Sequence, residues 1–120
     1  MSSYQKFQIG VKTLKITGSD LLISALKAEG VDVVFGIAGD HILHLLDRMF
    51  DADLRMVDFR HESGAVHAAD SYSRILRRCG VALSTTPGHA NAIPALANAI
   101  HSEAPVINIA GSADSDNIGR

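Results

Sequence analysis

Apolar positions follow two rhythms along this chain, a helical one near 3.6 residues and a set of short β-branched runs. Residues 1–16 show only weak alternation and read as an N-terminal arm, either an edge strand or a lead-in without fixed structure. From Thr17 the pattern sharpens. Thr17 is placed to cap a helix, with Asp20 three residues on as a variant of the capping box. Leu21, Leu22, Ala25 and Leu26 form the apolar stripe of that helix, and Gly30 after Glu29 ends it as a left-handed cap. Val31 to Phe35 reads as a buried strand. Gly36-Ile37-Ala38-Gly39 then turns the chain, its glycines serving either a tight turn or a close approach of backbone to a ligand. Asp40 is placed to cap a second helix with Ile42, Leu45, Leu46 and Met49 on one face.

Arg55 to Phe59 is the second predicted strand. The helix that follows, from about Ser63 to Leu76, is rich in small residues: Gly64, Ala65, Ala68, Ala69, Ser71 and Ser73. Such a surface lets another element come close to the helix axis, whether its own sheet or a second subunit. Gly80 to Ser84 is a third strand, Thr85-Thr86-Pro87-Gly88 a turn, and His89 to His101 a fourth helix. Pro94 inside that helix either kinks it or marks a later start. Val106 to Ala110 is the fourth strand, interrupted by Asn108, which is odd for a fully buried position. Residues 111–120 read as loop or the start of another helix. Strands alternating with helices at this spacing predict an α/β fold: a parallel, three-layer αβα sheet with right-handed crossovers. The last strand comes so near residue 120 that the sheet reads as incomplete, or as finished by another chain.

Composition narrows the function classes. The chain of 120 residues, 47% hydrophobic and 20% charged, suits one small globular domain. A net charge of −2 provides no positive field for nucleic acid or anionic lipid. No apolar run is long enough to span a membrane, and the first fifteen residues lack the apolar core of a signal peptide, so the expected setting is the cytoplasm. Cys79 is the single cysteine, which excludes an internal disulfide. It follows Arg77-Arg78, which could lower its pKa, but it also opens an apolar strand, and a plain buried thiol is the better reading.

Known catalytic patterns fail one after another. His61 and His67 are six apart, too far round a helix for a zinc-protease pair. His41 and His44 are three apart and could share a metal, with no third ligand obvious. Gly36, Gly39 and Asp40 do not make a dinucleotide fingerprint, and there is no Walker lysine or nucleophile elbow. One carboxylate stands out. Glu62 lies where a strand ends and a helix begins, the edge at which parallel α/β sheets bind ligands. A plain alternative is a helix-start carboxylate favoured by the macrodipole.

Five stretches, in order from Thr17 to Arg120, carry a resemblance to a known family. These are Thr17-Gly18…Leu26…Glu29-Gly30-Val31…Val34-Phe35-Gly36, the loop Gly36-Ile37-Ala38-Gly39, Arg60-His61-Glu62…Ala65…Ala68-Ala69-Asp70-Ser71-Tyr72-Ser73-Arg74, Gly80-Val81…Ser84…Pro87-Gly88…Asn91, and Ala104-Pro105-Val106…Gly111. The chain resembles the N-terminal pyrimidine-binding (Pyr) domain of thiamine diphosphate enzymes of the acetolactate synthase, benzoylformate decarboxylase and benzaldehyde lyase group. The resemblance makes residues 17–120 a partial Pyr domain.

The resemblance implies a site and its chemistry. The glutamate at the position of Glu62 hydrogen-bonds N1′ of the cofactor's aminopyrimidine. It favours the imino tautomer, whose 4′-nitrogen takes the proton from the thiazolium C2, and the carbanion attacks a 2-oxo acid or aldehyde. Ala38 and Gly39 would contact the pyrimidine, with Ser84 and Asn91 lining the site. Asp40 matches an active-site acid of pyruvate decarboxylase-like members, and His41 beside it is a second candidate for substrate contact or acid–base work. Ser84 matches a histidine of benzoylformate decarboxylase. Three departures stand out: Ala38 replaces a usual proline; Ser71 and Ser73 together replace a usual glycine and alanine; and the middle and diphosphate-binding domains expected of the family are not in this sequence. The partner implied is a diphosphate-binding domain, usually of another subunit in a homo-oligomer, which would also hold Mg²⁺; some relatives bind FAD as well. The leading expectation is therefore the N-terminal portion of a lyase or transferase, inactive alone. Two others stand beside it: a Pyr-only subunit served by a separate diphosphate-binding chain, and a catalytically silent α/β binding module.

Overall fold

The computed structural model describes residues 16–119; the expected arm, apart from Ile16, lies outside them. Its elements run α1 (Gly18–Ala28), β1 (Val33–Gly36), α2 (Leu43–Asp51), β2 (Arg55–Asp58), α3 (Glu62–Leu76), β3 (Gly80–Thr85), α4 (Thr86–His101) and β4 (Val106–Gly111). The capping box at Thr17 closes in both directions. Thr17 Oγ1 accepts from the Asp20 N–H at 3.2 Å, and the Asp20 carboxylate accepts from the Thr17 N–H at 2.8 Å. Gly30 follows the helix at φ +76°, a conformation that suits glycine.

Two local expectations are corrected. Asp40 does not cap α2. Gly39 takes the extended cap position, its carbonyl accepts from the Ile42 N–H at 3.0 Å, and Asp40 is already inside a single 3-10 turn, Asp40–Ile42. α2 starts after that turn with no side-chain cap. Nor is Thr85 to Gly88 a free turn: Thr85 ends β3 and Thr86-Pro87-Gly88 is the first turn of α4. Proline is tolerated there because the first N–H groups of a helix lack intrahelical partners anyway. α4 then runs through Pro94 without a break.

The four strands form one parallel sheet in the order β2-β1-β3-β4. The step from β1 to β2 goes one way across the sheet, and the steps to β3 and β4 go the other. Crossovers of one hand therefore put α2 on one face and α3 and α4 on the opposite face. Strand periodicity delivers the two cores. Val34, Val81 and Leu83 pack with Ile23, Leu26, Leu45 and Met49 of α1 and α2. Val33, Phe35 and Ala82 pack with Ala65, Val66, Ala69, Ala92 and Ala95 of α3 and α4.

The small residues of α3 are used within the domain. A Cβ on Gly80 would lie 2.1 Å from the Ala69 carbonyl oxygen, so helix backbone rests almost directly on β3. Ser73 fits the same crowded face because its hydroxyl donates to the Asp70 carbonyl at 2.7 Å, while Ser71 is exposed. Asn108 is explained in part by position: β4 is an edge strand of these four and only half-buried, and the Asn108 amide pairs with His89 Nδ1 at 2.8 Å, while Asn108 Oδ1 is buried without a hydrogen-bond partner among the described residues. Cys79 behaves as a structural thiol, half-buried against the α1–α2 core, and burial pushes its pKa up. No described helix is long and apolar enough to cross a membrane.

Candidate functional site

Because every strand runs the same way, their C-terminal ends make one edge. Strand order reverses between β1 and β3, so that edge opens a crevice between the loop after β1 and the end of β3. At Gly39 the loop packs closely on the end of β3, where a Cβ would lie 2.5 Å from Thr85 Cγ2. The other strand ends are tied to the same edge. The Thr86 hydroxyl donates to the Gly111 carbonyl at 2.8 Å, and Gly111 in turn lies against the His41 carbonyl and Ile42, 2.7 Å from where its Cβ would stand.

Glu62 enters this edge from β2. Phe59 continues the strand pairing with an N–H bond to the Gly36 carbonyl at 2.9 Å, and three residues later the chain is helical. His61 caps α3 through Nδ1, which accepts from the Ser63 N–H at 3.2 Å. Glu62 is thus the first residue of α3, and its half-buried carboxylate leans on the first turn of α4. Asn91 Nδ2 donates to Oε2 at 3.1 Å. On the other side, a Cβ on Gly88 would be 2.4 Å from Oε1 and 2.8 Å from both Cδ and Cγ. The carboxylate therefore sits at the positive ends of two helix dipoles, with one side-chain donor and a glycine surface behind it. The Ser63 hydroxyl adds a second bond between the helices, donating to the Asn91 carbonyl at 2.5 Å.

The sequence-predicted residues do not all meet. Glu62 and Asn91 touch. Gly39 is half-buried against Thr85, and Ala38 beside it is exposed. Ser84 is 1% exposed in β3, and its hydroxyl has no hydrogen-bond partner among the described residues. Asp40 and His41 are exposed on the 3-10 turn. A hollow of about 210 Å³ beside that turn is lined by Gly18, Ser19, His41, His44, Ile109 and Gly111. A larger hollow, about 560 Å³, lies elsewhere, between α2 and β2, against Leu46, Phe50 and Met56. Position at the sheet edge, not volume, distinguishes the Glu62 site. Among the described residues no three His, Cys, Asp or Glu side chains gather to hold a metal ion.

Sequence reading missed Gly88, Ser63 and Thr85. The signal for Gly88 was present in the Pro-Gly pair, which fits the first turn of a helix as well as it fits a loop.

Comparison with known proteins matches the chain to one family. Residues 16–120 match the family described as thiamine pyrophosphate enzyme, N-terminal TPP binding domain. A probable acetolactate synthase large subunit of Methanocaldococcus jannaschii is 39% identical over 103 residues, covering 85% of this chain and 17% of that protein. A 2-hydroxyacyl-CoA lyase 2 of Caenorhabditis elegans is 40% identical over 108 residues, covering 89% and 17%. The solved structure of a thiamine diphosphate-dependent 4-hydroxybenzoylformate decarboxylase from Rhodococcus jostii RHA1 superposes with a TM-score of 0.80 at 32% identity, covering 87% of this chain and 20% of that one. The chain thus spans about a fifth or less of the length of these relatives. It belongs to the thiamine pyrophosphate enzyme family, as an N-terminal cofactor-binding domain.

Proposed function

We propose that this chain supplies the pyrimidine half of a thiamine diphosphate site in an enzyme acting on 2-oxo acids or aldehydes. The observation that carries the proposal is the half-buried Glu62 carboxylate, held by Asn91 and Gly88 at the C-terminal edge of the sheet. The residues present suit an aminopyrimidine. A flat ring needs a surface with little side chain, which Ala38 and Gly39 offer after β1. A ring nitrogen needs a fixed carboxyl group with which to share a proton, which Glu62 offers. The unpartnered Ser84 hydroxyl is a further polar group in the strand that ends at this edge.

When bound, thiamine diphosphate supplies an acidic thiazolium C2–H whose conjugate base adds to the substrate carbonyl. The part of this chain is proton management at the far ring. Glu62 would hold the proton at N1′, which makes the 4′-amino group basic enough to serve as the internal base. Such a carboxyl group is most effective where water is excluded and its partners are preorganised. A diphosphate-binding domain closing over this edge provides that exclusion and carries the Mg²⁺, either in the same polypeptide or on a second subunit. The acetolactate synthase and decarboxylase names of the relatives support a 2-oxo acid as substrate. Asp40 and His41 remain the candidates for substrate contact.

The test is Glu62→Gln in the assembled, cofactor-loaded protein, assayed with pyruvate and aryl 2-oxo acids. Turnover should drop by roughly 100-fold or more. Full activity would remove Glu62, and with it the proposal.

A further inference from the structure

We propose that Asn91 is a positioning residue for Glu62: it aims the carboxylate and leaves the proton chemistry to it. This inference rests on the function proposed above and goes beyond it. It assigns Asn91 a role through Glu62, where lining the cofactor pocket would only require it to stand nearby.

The two carboxylate oxygens are held in different ways. Oε2 accepts from Asn91 Nδ2 at 3.1 Å. Oε1 lies over Gly88, where a side-chain carbon would have only 2.4 Å. One oxygen is tethered by a donor and the other is steered by shape. A glutamate at the first position of a helix has three side-chain torsions, and nothing in its own helix fixes them. Asn91 does so from a different helix.

Asn91 is itself anchored. Its main-chain carbonyl accepts from the Ser63 hydroxyl at 2.5 Å, and Ser63 is the residue after Glu62. The two bonds therefore run in opposite directions across the same contact: α4 gives an amide hydrogen to residue 62 and takes a hydroxyl hydrogen from residue 63. This reciprocal clasp fixes α4 against the start of α3. Further along the helices, Asn98 reaches Asp70 at 3.5 Å, so the tighter clasp is the one at the site. An amide suits the role. It offers a donor to a carboxylate at any pH at which the protein is folded, and it carries no charge of its own to compete for the proton that Glu62 must handle.

The test has two arms. In the chain itself, a double-mutant cycle with Glu62→Ala and Asn91→Ala, read by denaturant unfolding, should be non-additive, the coupling amounting to roughly a fivefold change in the unfolding equilibrium. In the assembled protein, Asn91→Ala should lower kcat by roughly 100-fold, the cost of letting a reacting group wander by about an ångström. Cofactor affinity should fall by much less, and Ser63→Ala should give a smaller loss of the same kind. An additive cycle together with an undiminished kcat in Asn91→Ala overturns the proposal. So does a variant whose kcat, cofactor affinity and melting temperature decline together, because that is the signature of packing alone. Glu62→Gln separates the two claims. If that variant is fully active, the functional reading itself has failed; if it is inactive while Asn91→Ala is not, only the positioning role has.

Discussion

Gly88→Ala should separate folding from function. The added Cβ would stand 2.4 Å from Glu62 Oε1 and 2.8 Å from Glu62 Cδ and Cγ. All three are side-chain atoms, so the clash is relieved by swinging the Glu62 side chain, with no shift of backbone. Gly88 lies in the first turn of α4, where alanine is a good helix former. Stability should therefore hold or rise, by up to about 1 kcal/mol. Ordinary contact begins near 3.4 Å, so the carboxylate must retreat by about 1 Å. A displacement of that size at a reacting group costs about 100-fold in rate, which is about 2.7 kcal/mol of barrier. Urea unfolding of the chain and kcat of the assembled protein are the two assays. Turnover within threefold of the parent would mean that the carboxylate does not rest on Gly88, and the described site geometry would be wrong.

The other predictions concern the scaffold. Gly80→Ala places its Cβ 2.1 Å from the Ala69 carbonyl oxygen and 2.7 Å from its carbon, backbone that cannot swing aside, so unfolding experiments should show a loss of about 3 kcal/mol. Thr17→Ala removes one half of the capping box and should cost about 1 kcal/mol in the same assay. Arg74→Ala should show a pH signature. Hydrogen bonds from Arg74, at 2.6 and 2.8 Å, hold the buried Asp70 carboxyl below its ordinary pKa. A carboxyl held low stabilises the fold above its unfolded value, and that stability is lost as pH falls through the folded one. The variant should be less stable near pH 7, and only modestly so because water reaches Arg74. The deficit should shrink as pH drops below about 4, where the unfolded chain protonates Asp70, and vanish once pH passes the lower folded value. A deficit that stays constant across that range would place the cost in packing.

The elements were legible because each is written locally. The Thr17–Asp20 box and the apolar period define α1 without help from the rest of the chain, but not its buried face: Ile23 and Leu26 are buried, whereas Leu21 and Ala25 of the expected stripe face solvent. Glu62 was legible for a similar reason, since a strand-to-helix junction can be read from pattern alone and places a residue at the ligand edge of a parallel sheet. What surrounds Glu62 was not legible as geometry. Gly88 and Asn91 reach it only because α4 starts beside α3, a fact about strand order that no local pattern encodes. Pro87-Gly88 therefore passed as a turn, although it opens a helix. Asn108 was puzzling in sequence and the fold answers half of it: strand order puts β4 at an edge, where the amide meets His89, but Oδ1 stays buried without a partner among the described residues. Asp40 shows the limit of capping rules: Gly39 had already taken the cap position in an extended conformation that needs no side chain.

The most direct test of the central claim follows the thiazolium C2 proton and needs no knowledge of the substrate. Exchange of that proton into deuterium oxide can be timed by NMR for cofactor bound to the assembled protein and to its Glu62→Gln variant. If Glu62 manages the proton at N1′, exchange should be faster than in free cofactor and should slow by about 10²- to 10⁴-fold in the variant. Equal exchange rates in the two proteins, with cofactor bound to both, would contradict the account.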